Sequence, residues 1–338
     1  MHKASTWRIA LGALLLATSL PALADNVTLK IATTAPDGTA WMREMRAGAD
    51  DIDHRTDGRV KIKYFPGGVM GNADSVLRKI RVNQLQGAAF VGANLSSVYP
   101  DAQIYSLPLL FHNLGEVDYV RSHMDATLKK GIEDAGFVAL GFAEGGFAYL
   151  LSQHKIASQE DLKKSKVWVP EGDVVNSAAF QAAGVTPVPL PFADVYTGLQ
   201  TGLLDTVASP ATAAIAFQWH TKVKTLTDYP VTYVLGMMVI NKKSFDDVSP
   251  ADQQVVRDSM DAAFTRLNKI TRQDNESARD ALKKQGIEFI TLSADEQKRW
   301  QDFANTAIEQ LKDKNVYSPE MLEQLRSELA SYRSGGGK

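Results

Sequence analysis

Cysteine is absent from the 338-residue chain, so the protein has neither a disulfide framework nor a cysteine for lipid attachment. Basic stretches are absent as well. The 37 Lys and Arg residues stand against 39 Asp and Glu residues, and no cluster of cations is dense enough to neutralise a phosphate backbone. We therefore expect no nucleic-acid partner.

Signatures of catalysis are also missing. The six histidines are scattered, without an H-E-x-x-H pair or any other metal-ligand spacing. The sequence contains no G-x-S-x-G nucleophile turn, no phosphate-binding G-x-x-x-x-G-K-[ST] loop and no G-x-G-x-x-G after a strand. These absences predict a protein without a metal site, a cofactor or catalytic residues.

An apolar run from Ile9 to Leu20 follows the basic residues Lys3 and Arg8 and precedes Ala22-Leu23-Ala24. This pattern predicts a cleavable signal peptide over residues 1–24 and export to the periplasm. An uncleaved membrane anchor is the weaker alternative, because the run is short for a bilayer and no stop-transfer charges follow it. We expect a periplasmic protein that is not itself embedded in the membrane.

The length and the 44% hydrophobic content suffice for two cores. The first elements after the signal alternate between strand and helix, which predicts a largely parallel sheet covered by helices. Such sheets bind ligands beyond the carboxyl ends of their strands. The candidate rim is therefore formed by the loops after Ala32, Phe65 and Val91, the first of which contains Thr34. The predicted elements are strands Val27–Ala32, Val60–Phe65 and Gly87–Gly92 and helices Trp41–Ile52 and Asn72–Gln86.

A second group of elements follows the predicted strand Val138–Ala143. That strand reaches Gly145-Gly146, which we interpret as a hinge between two lobes, with a plain tight turn as an equal alternative. The run Tyr233–Ile240 would return the chain to the first lobe. The elements predicted between them are strands Val167–Val169, Thr186–Pro189 and Thr206–Ser209 and helices Val174–Ala183 and Ala193–Leu203.

The C-terminal part is predicted to be helical. Ser249-Pro250 is a strong helix start, and no Pro or Gly interrupts the chain before Gly286. The resulting helix of up to about 35 residues would be roughly 50 Å long, which exceeds one lobe. Two shorter helices should begin at Ser293 and at Ser318, and residues 333–338 should form a flexible tail.

Two segments carry a resemblance to a known family. Ile156 to Val169 and Gly184 to Pro210 resemble the "pI.s..DLkG.KiRvp" and "GA.pv.l.f.EvY.aLqtG.vDg..nP" segments of the DctP-type substrate-binding proteins of TRAP transporters. The resemblance spans about residues 25–332. It implies an α/β, type II-like periplasmic binding protein with two lobes, mixed and mostly parallel sheets flanked by helices, and a long helix that spans both lobes.

The resemblance also implies lobe boundaries and partners. The first lobe would comprise residues 25–146 and 236–275, and the second lobe residues 147–235 and 276–332. The partners would be a small organic ligand and a pair of membrane subunits, small and large, similar to DctQ and DctM. Uptake would be driven by an ion gradient.

The positions of the family's ligand contacts are unusual in this sequence. Two arginines and an asparagine of the family correspond to Ala148, Trp168 and Ser209, and Phe192 falls on the family's aromatic position. Loss of one partner from a desolvated ion pair costs about 2–5 kcal/mol, so a small dicarboxylate is a poor ligand for such a cleft. We expect a more apolar or aromatic ligand. The candidate ligand-binding residues are Trp168, Phe192, Ser209, Ala148, Tyr149, Thr34, Phe217 and Trp219.

Alternatives for individual residues stay open at this stage. In one alternative, Trp168 fills the space of the absent arginine as part of the core, and Phe217 and Trp219 are core residues as well. A ligand carboxylate would otherwise need another cation, such as Arg78, Arg81 or Lys166. Glu144, beside the hinge, is either a solvated loop residue or a contact for a polar ligand group.

The sequence therefore predicts a periplasmic solute-binding subunit of a TRAP-type transporter, and not an enzyme. Three alternatives remain: an ordinary C4-dicarboxylate-binding protein that uses a different cation, a periplasmic ligand sensor, and an exported enzyme on the same fold. A transporter operon or a receptor gene beside the coding sequence would distinguish transport from sensing.

Overall fold

The computed structural model describes residues 26–336. The predicted signal peptide and the last two residues of the predicted tail lie outside this range. The strands are β1 Val27–Thr33, β2 Val60–Phe65, β3 Gly87–Val91, β4 Phe137–Ser152, β5 Val167–Pro170, β6 Val188–Leu190, β7 Thr206–Ser209, β8 Thr225–Asn241 and β9 Glu288–Ile290.

The helices begin mainly at side-chain caps, in which a Ser, Thr, Asn or Asp oxygen accepts a hydrogen bond from a backbone N–H of the first turn. They are α1 Ala40–Arg55, α2 Ala73–Arg81, α3 Gly92–Leu95, α4 Leu114–Asp134, α5 Gln159–Lys163, α6 Val174–Ala182, α7 Val195–Thr201, α8 Ala211–Ala216, α9 Lys242–Asp246, α10 Pro250–Lys284, α11 Ala294–Leu311 and α12 Pro319–Ser331.

The strands form one mixed sheet in the order β2-β1-β3-β8-β4-β7-β5-β6, with β9 paired to β8. This arrangement confirms the predicted α/β class with helices around a sheet. Separate sheets for the two lobes were expected, however. The two longest strands, β4 with 16 residues and β8 with 17, run antiparallel through both halves and join them into a continuous sheet.

The glycine pair at residues 145 and 146 lies within β4 and does not end it. The ladder to β8 shifts register between Glu144 and Gly146, which marks a β-bulge. Gly146 has a φ of +96°, a conformation that L-residues avoid. The tight-turn alternative is therefore wrong. The pair is an irregular point in a strand that crosses from one half of the molecule to the other.

Helix α10 holds this bulge from one side. Its 35 residues agree with the predicted length, and two of its asparagines bond to the backbone of β4. Asn268 donates to the carbonyl of Phe142 (3.1 Å) and accepts from the N–H of Glu144 (2.9 Å). Asn275 donates to the carbonyl of Gly145 (2.9 Å). The crossing point of the sheet is thereby tied to one long helix.

Replacing Gly146 with Ala tests whether the bulge has room for a side chain at this position. A methyl group there would lie 2.6 Å from Nδ2 of Asn275, in addition to the unfavourable φ. We expect the free energy of unfolding to fall by about 2–3 kcal/mol in urea titrations. Gly136→Ala is the control, because Gly136 has a φ of +90° and open space around it. That variant should lose about 1 kcal/mol. Equal losses in both variants would contradict a steric role for Asn275.

The C-terminal residues differ from the lobe assignment made from the sequence. Trp300 and Ala304 of α11 belong to the same buried cluster as second-half residues such as Val167, as expected. The end of α11 and all of α12 instead contribute to the core around α4, where Leu325 packs with Val120. The residues that follow also bond to this region, because Arg333 is paired with Glu116 at 2.8 Å. Residues Tyr332–Gly336, most of which were expected to belong to a flexible tail, form a last helical turn.

Candidate functional site

A cavity of about 890 Å³ lies between the two halves of the molecule. Its wall includes the segments that follow β1, β3, β5 and β7, so it sits beyond the carboxyl ends of parallel strands. The predicted rim loops after Ala32 and Val91 line it. The loop after Phe65 does not, and its residues Gly68, Met70 and Gly71 line a smaller neighbouring pocket.

Four aromatic side chains form a contiguous part of the wall, which we call the aromatic wall: Trp168, Phe192, Phe217 and Trp219. The Trp168 ring meets Phe192 edge to face at 4.8 Å and Trp219 at 5.2 Å, while Phe217 stacks on Trp219 at 5.1 Å. Such pairs stabilise one another beyond the burial of their surface. The wall is therefore rigid.

Trp168 is both a buried core residue and part of the cavity wall. Its indole N–H donates to the carbonyl of Leu190 at 2.9 Å, and the residue is only 3% exposed, as expected for a core side chain. It nevertheless borders the cavity. Trp219 is similarly buried, so the more accessible faces of the wall are those of Phe192 and Phe217, which are half-buried.

Thr34 and Ser209 also border the cavity. Thr34 is exposed in the loop after β1, whereas Ser209 is buried and its hydroxyl donates to the carbonyl of Pro210 at 3.0 Å. The structure thus brings six of the predicted residues together around one space. Their contact with a ligand stays a prediction.

Ala148 and Tyr149 are not among the residues that line the cavity. Ala148 is fully buried in β4, where it pairs with Thr232, and its methyl group is too short to reach outward. Tyr149 packs in the second-half core with the guanidinium of Arg279 4.4 Å from its ring centre. Burial raises the pKa of the Tyr149 hydroxyl. Neither residue lies in the wall of this cavity, and their predicted contact with a ligand stays a prediction.

The charged residues of the cavity lining are all acidic. Within residues 26–336, the lining includes Asp37, Glu144, Asp173 and Asp274 and contains no Lys, Arg or His. The substitute cations considered from the sequence lie elsewhere: Arg78 and Arg81 are exposed on α2, and Lys166 donates to the carbonyl of Gly202. The cavity consequently offers a ligand carboxylate no side-chain cation.

Glu144 is neither solvated nor unpartnered. Its carboxylate accepts from Arg121 at 2.8 Å and from two nitrogens of Arg272 at 2.7 Å each. These arginines also pair with Asp125 and Asp118, and burial together with the nearby Glu144 carboxylate raises the pKa of Tyr233. The network connects α4, β4 and α10 directly behind the bulge. Its arginines are engaged in this network and are not part of the cavity lining.

Asp173 differs from Glu144 because no cation pairs with it among the described residues. It is 5% exposed at the start of α6, and the donors to its carboxyl group among the described residues are the backbone N–H and the side-chain amide of Asn176, at 3.0 and 2.7 Å. Burial raises the pKa of this carboxyl, and the bonds from Asn176 offset part of that effect. A buried acidic side chain without a cation therefore borders the cavity.

Other lining residues were not identified from the sequence. Trp300 and Phe303 of α11 line the cavity. A first-half tryptophan, Trp41 at the start of α1, also belongs to the lining. An amphipathic helix pattern shows only that a residue points inward, so it could not separate these side chains from ordinary core residues.

Among the described residues, no group of three or more potential metal ligands comes together. No helix in the same part of the chain combines the length and the apolar character needed to cross a bilayer. The site is an aromatic and acidic cavity between the two halves, next to the bulge at which β4 crosses from one half to the other.

Comparison with known proteins connects this architecture with one family. The model of the DctP family, described as bacterial extracellular solute-binding protein, family 7, matches residues 31–315. The 2,3-diketo-L-gulonate-binding periplasmic protein YiaO of Escherichia coli is 29% identical over 244 residues, which is 72% of this chain and 74% of the relative. The C4-dicarboxylate-binding periplasmic protein DctP of Rhodobacter capsulatus is 27% identical over 306 residues, 86% of this chain and 88% of the relative.

A solved structure shows the same fold. A TRAP periplasmic solute binding protein from Ochrobactrum anthropi is 27% identical and superposes with a TM-score of 0.79, covering 92% of this chain and 97% of the other. Proteins of this family bind solutes and are not enzymes. The match extends over most of the chain and includes both halves that enclose the cavity, so the protein belongs to bacterial extracellular solute-binding protein family 7, the DctP family of TRAP periplasmic solute-binding proteins.

Proposed function

We propose that this protein is the periplasmic solute-binding subunit of a TRAP-type transporter that captures an organic ligand in the interlobe cavity and delivers it to small and large membrane subunits. The cavity carries this proposal. It is enclosed by segments of both halves, and 890 Å³ falls within the range of about 300–1,000 Å³ typical of small-molecule sites.

Closure around the ligand would use the crossing strands. The bulge at Gly146 is an irregular point in β4 that α10 holds by hydrogen bonds, and small changes of backbone angle there would move one half relative to the other. Asn72 of the first half also donates to Glu171 of the second at 3.2 Å, a hydrogen bond that joins the two halves. Contacts of the ligand with both halves would favour the closed form, which the membrane subunits would recognise.

The ligand would be less acidic and more apolar than a small dicarboxylate. The lining has Trp168 at one of the two positions where the family places arginines, and Arg78, Arg81 and Lys166 are not among its residues. The relatives named above bind a diketogulonate and C4-dicarboxylates. A change of ligand class within the family is therefore part of this proposal.

Two measurements on one preparation test the function. Protein that has been unfolded and refolded to remove bound compounds should gain thermal stability with its ligand, by about 2.7 kcal/mol at 100 times the dissociation constant. Small-angle scattering should show a smaller radius of gyration in the same sample. The screen should include organic acids, neutral aromatic compounds and amines. A protein that no compound stabilises, or whose dimensions stay constant on binding, would contradict a closing solute-binding protein.

A further inference from the structure

We propose that Asn275 couples contacts made in the cavity wall to the bulge of β4. Asn275 lies half-buried on α10, and its side chain bonds both to the bulge and to α8. The coupling rests on the proposed function, because it concerns the movement that closes the two halves around a ligand. It gives a positioning role to a residue that is not part of the cavity lining.

Asn275 stands where α10 passes from one half of the molecule to the other. Leu267, about two turns before it, is buried in the first-half cluster that includes Val138. Ala278, about one turn after it, is buried in the second-half cluster that includes Trp168. Helix α10 and strand β4 therefore cross between the halves at the same place, and Asn275 helps to join the two crossings.

The side-chain amide of Asn275 is bonded at both ends. Its Nδ2 donates to the carbonyl of Gly145 at 2.9 Å. Its Oδ1 accepts from the hydroxyl of Thr212 at 2.9 Å and from the backbone N–H of Thr212 at 3.3 Å. The opposite orientation of the amide would place donor against donor and acceptor against acceptor. A continuous chain of hydrogen bonds therefore runs from α8 to the bulge, and the bonds of such a chain strengthen one another.

Thr212 connects this chain to the cavity. It lines the cavity near the start of α8, and the helix leads directly into Phe217 of the aromatic wall. Ala211 and Ala214 of the same helix are buried in the cluster that contains Trp168. Helix α8 and the aromatic wall are therefore packed as one body, and a ligand that displaces the wall would also displace Thr212.

At its other end, Asn275 is packed against the bulge as well as bonded to it. A methyl group on Gly146 would lie 2.6 Å from Nδ2 of Asn275, so the amide leaves no room at this glycine. Asn268, the other asparagine of α10 at this crossing, bonds to β4 at Phe142 and Glu144, on the first-half side of the bulge. Asn275 is thus the side chain through which a shift of α8 reaches the bulge.

This chain supplies a reason for ligand contacts to influence closure. A movement of one half about the bulge would change the position of the Gly145 carbonyl relative to Thr212, and Asn275 bonds to both. Ligand contacts that fix α8 would therefore favour one arrangement of the bulge over another. Such a difference in free energy between two arrangements is what a ligand needs in order to shift their populations.

Hydrogen exchange of the ligand-free protein tests the path from the wall to the bulge. Thr212→Val removes the hydroxyl donor but keeps the backbone donor and the size of the side chain. We expect the peptide that spans Gly145 and Gly146 to exchange its amide hydrogens at least threefold faster in this variant. The side chain of Thr212 is linked to that peptide by hydrogen bonds that pass through Asn275.

A double variant shows whether Asn275 carries the effect. Asn275→Ala should speed the exchange of the same peptide at least tenfold, and adding Thr212→Val should then change it no further. Thr201→Val is the matched control, because the exposed Thr201 hydroxyl donates to a carbonyl within α7. It should leave the peptide at the wild-type rate. Exchange in α12 is the reference, since a general loss of stability would speed it equally.

The same path should operate in the reverse direction, because a coupling free energy is reciprocal. Gly146→Ala pushes a methyl group against Asn275 and should weaken its bonds to Thr212. We expect exchange in the peptide that contains α8 to become at least threefold faster. Gly136→Ala, where the added methyl group meets open space, should leave α8 unchanged.

These measurements need no ligand, so their outcome is independent of the screen for the function. A wild-type exchange rate at the bulge in Thr212→Val, or an equal effect of this substitution with and without Asn275, would overturn the coupling and leave the binding function standing. If exchange responds as expected but no compound stabilises the protein, the coupling is confirmed and the proposed function fails.

Discussion

Replacing Arg272 with Ala should lower the free energy of unfolding by about 3 kcal/mol. Arg272 contributes two bonds of 2.7 Å to Glu144, whose side chain is only 3% exposed. Without it, a buried carboxylate loses one of its two cations, and Asp118 on the surface loses its partner. The expected loss is at the lower end for a broken buried ion pair because Arg121 still holds Glu144 at 2.8 Å.

A control variant on the same helix separates the effect of burial from the loss of an ion pair. Arg266 of α10 is paired with Glu44 at 2.8 Å, but its side chain is 52% exposed. Arg266→Ala should therefore cost less than about 1 kcal/mol. Both variants can be unfolded in urea beside the wild-type protein. Similar losses at the two positions would mean that the network behind the bulge contributes no more than an ordinary surface pair.

Local signals in the sequence were sufficient to predict where the long helix begins and ends. Ser249-Pro250 and Gly286 bracket it, and α10 runs from Pro250 to Lys284 as predicted. The second helix was predicted to reach Gln86 but ends at Arg81, where Asn83 takes a φ of +59°. No glycine or proline marks that end, so propensity alone could not place it.

Features that depend on distant partners could not be read from the sequence. The glycine pair resembles a turn, yet the ladder between β4 and β8 continues through it and absorbs the irregularity as a bulge. Glu144 finds its partners 23 and 128 residues away. Helix α12 has an apolar face in the sequence, but only the tertiary structure shows that this face packs near α4.

Part of the aromatic wall could be predicted from the sequence. The family frame located Trp168 and Phe192, and the neighbouring Phe217 and Trp219 proved to lie in the same wall. The frame failed at Ala148, because a methyl group cannot replace the reach of an arginine. It also gave no reason to notice Asp173, whose importance comes from burial without a cation.

Trp168→Arg should exchange the ligand preference of the cavity. A guanidinium at this point would lie in a wall of rings and bring a positive charge to a lining that has none among its described residues. Neutral aromatic compounds should bind roughly thirtyfold more weakly, about 2 kcal/mol, through loss of the indole ring and the presence of a charge in an apolar wall. Carboxylate compounds should gain measurable affinity, since a cation becomes available to them.

The same substitution should also destabilise the protein, by about 3 kcal/mol, because Trp168 is 3% exposed and its packing and its bond to Leu190 are lost. Destabilisation alone would weaken all ligands alike, so the decisive measurement is the ratio of affinities for neutral and carboxylate compounds with the same carbon skeleton. Trp168→Phe keeps an apolar ring while losing the indole N–H and should retain the wild-type ratio. A ratio that stays constant in Trp168→Arg would place this side chain outside the ligand's reach and reduce the tryptophan to a core residue beneath Phe192.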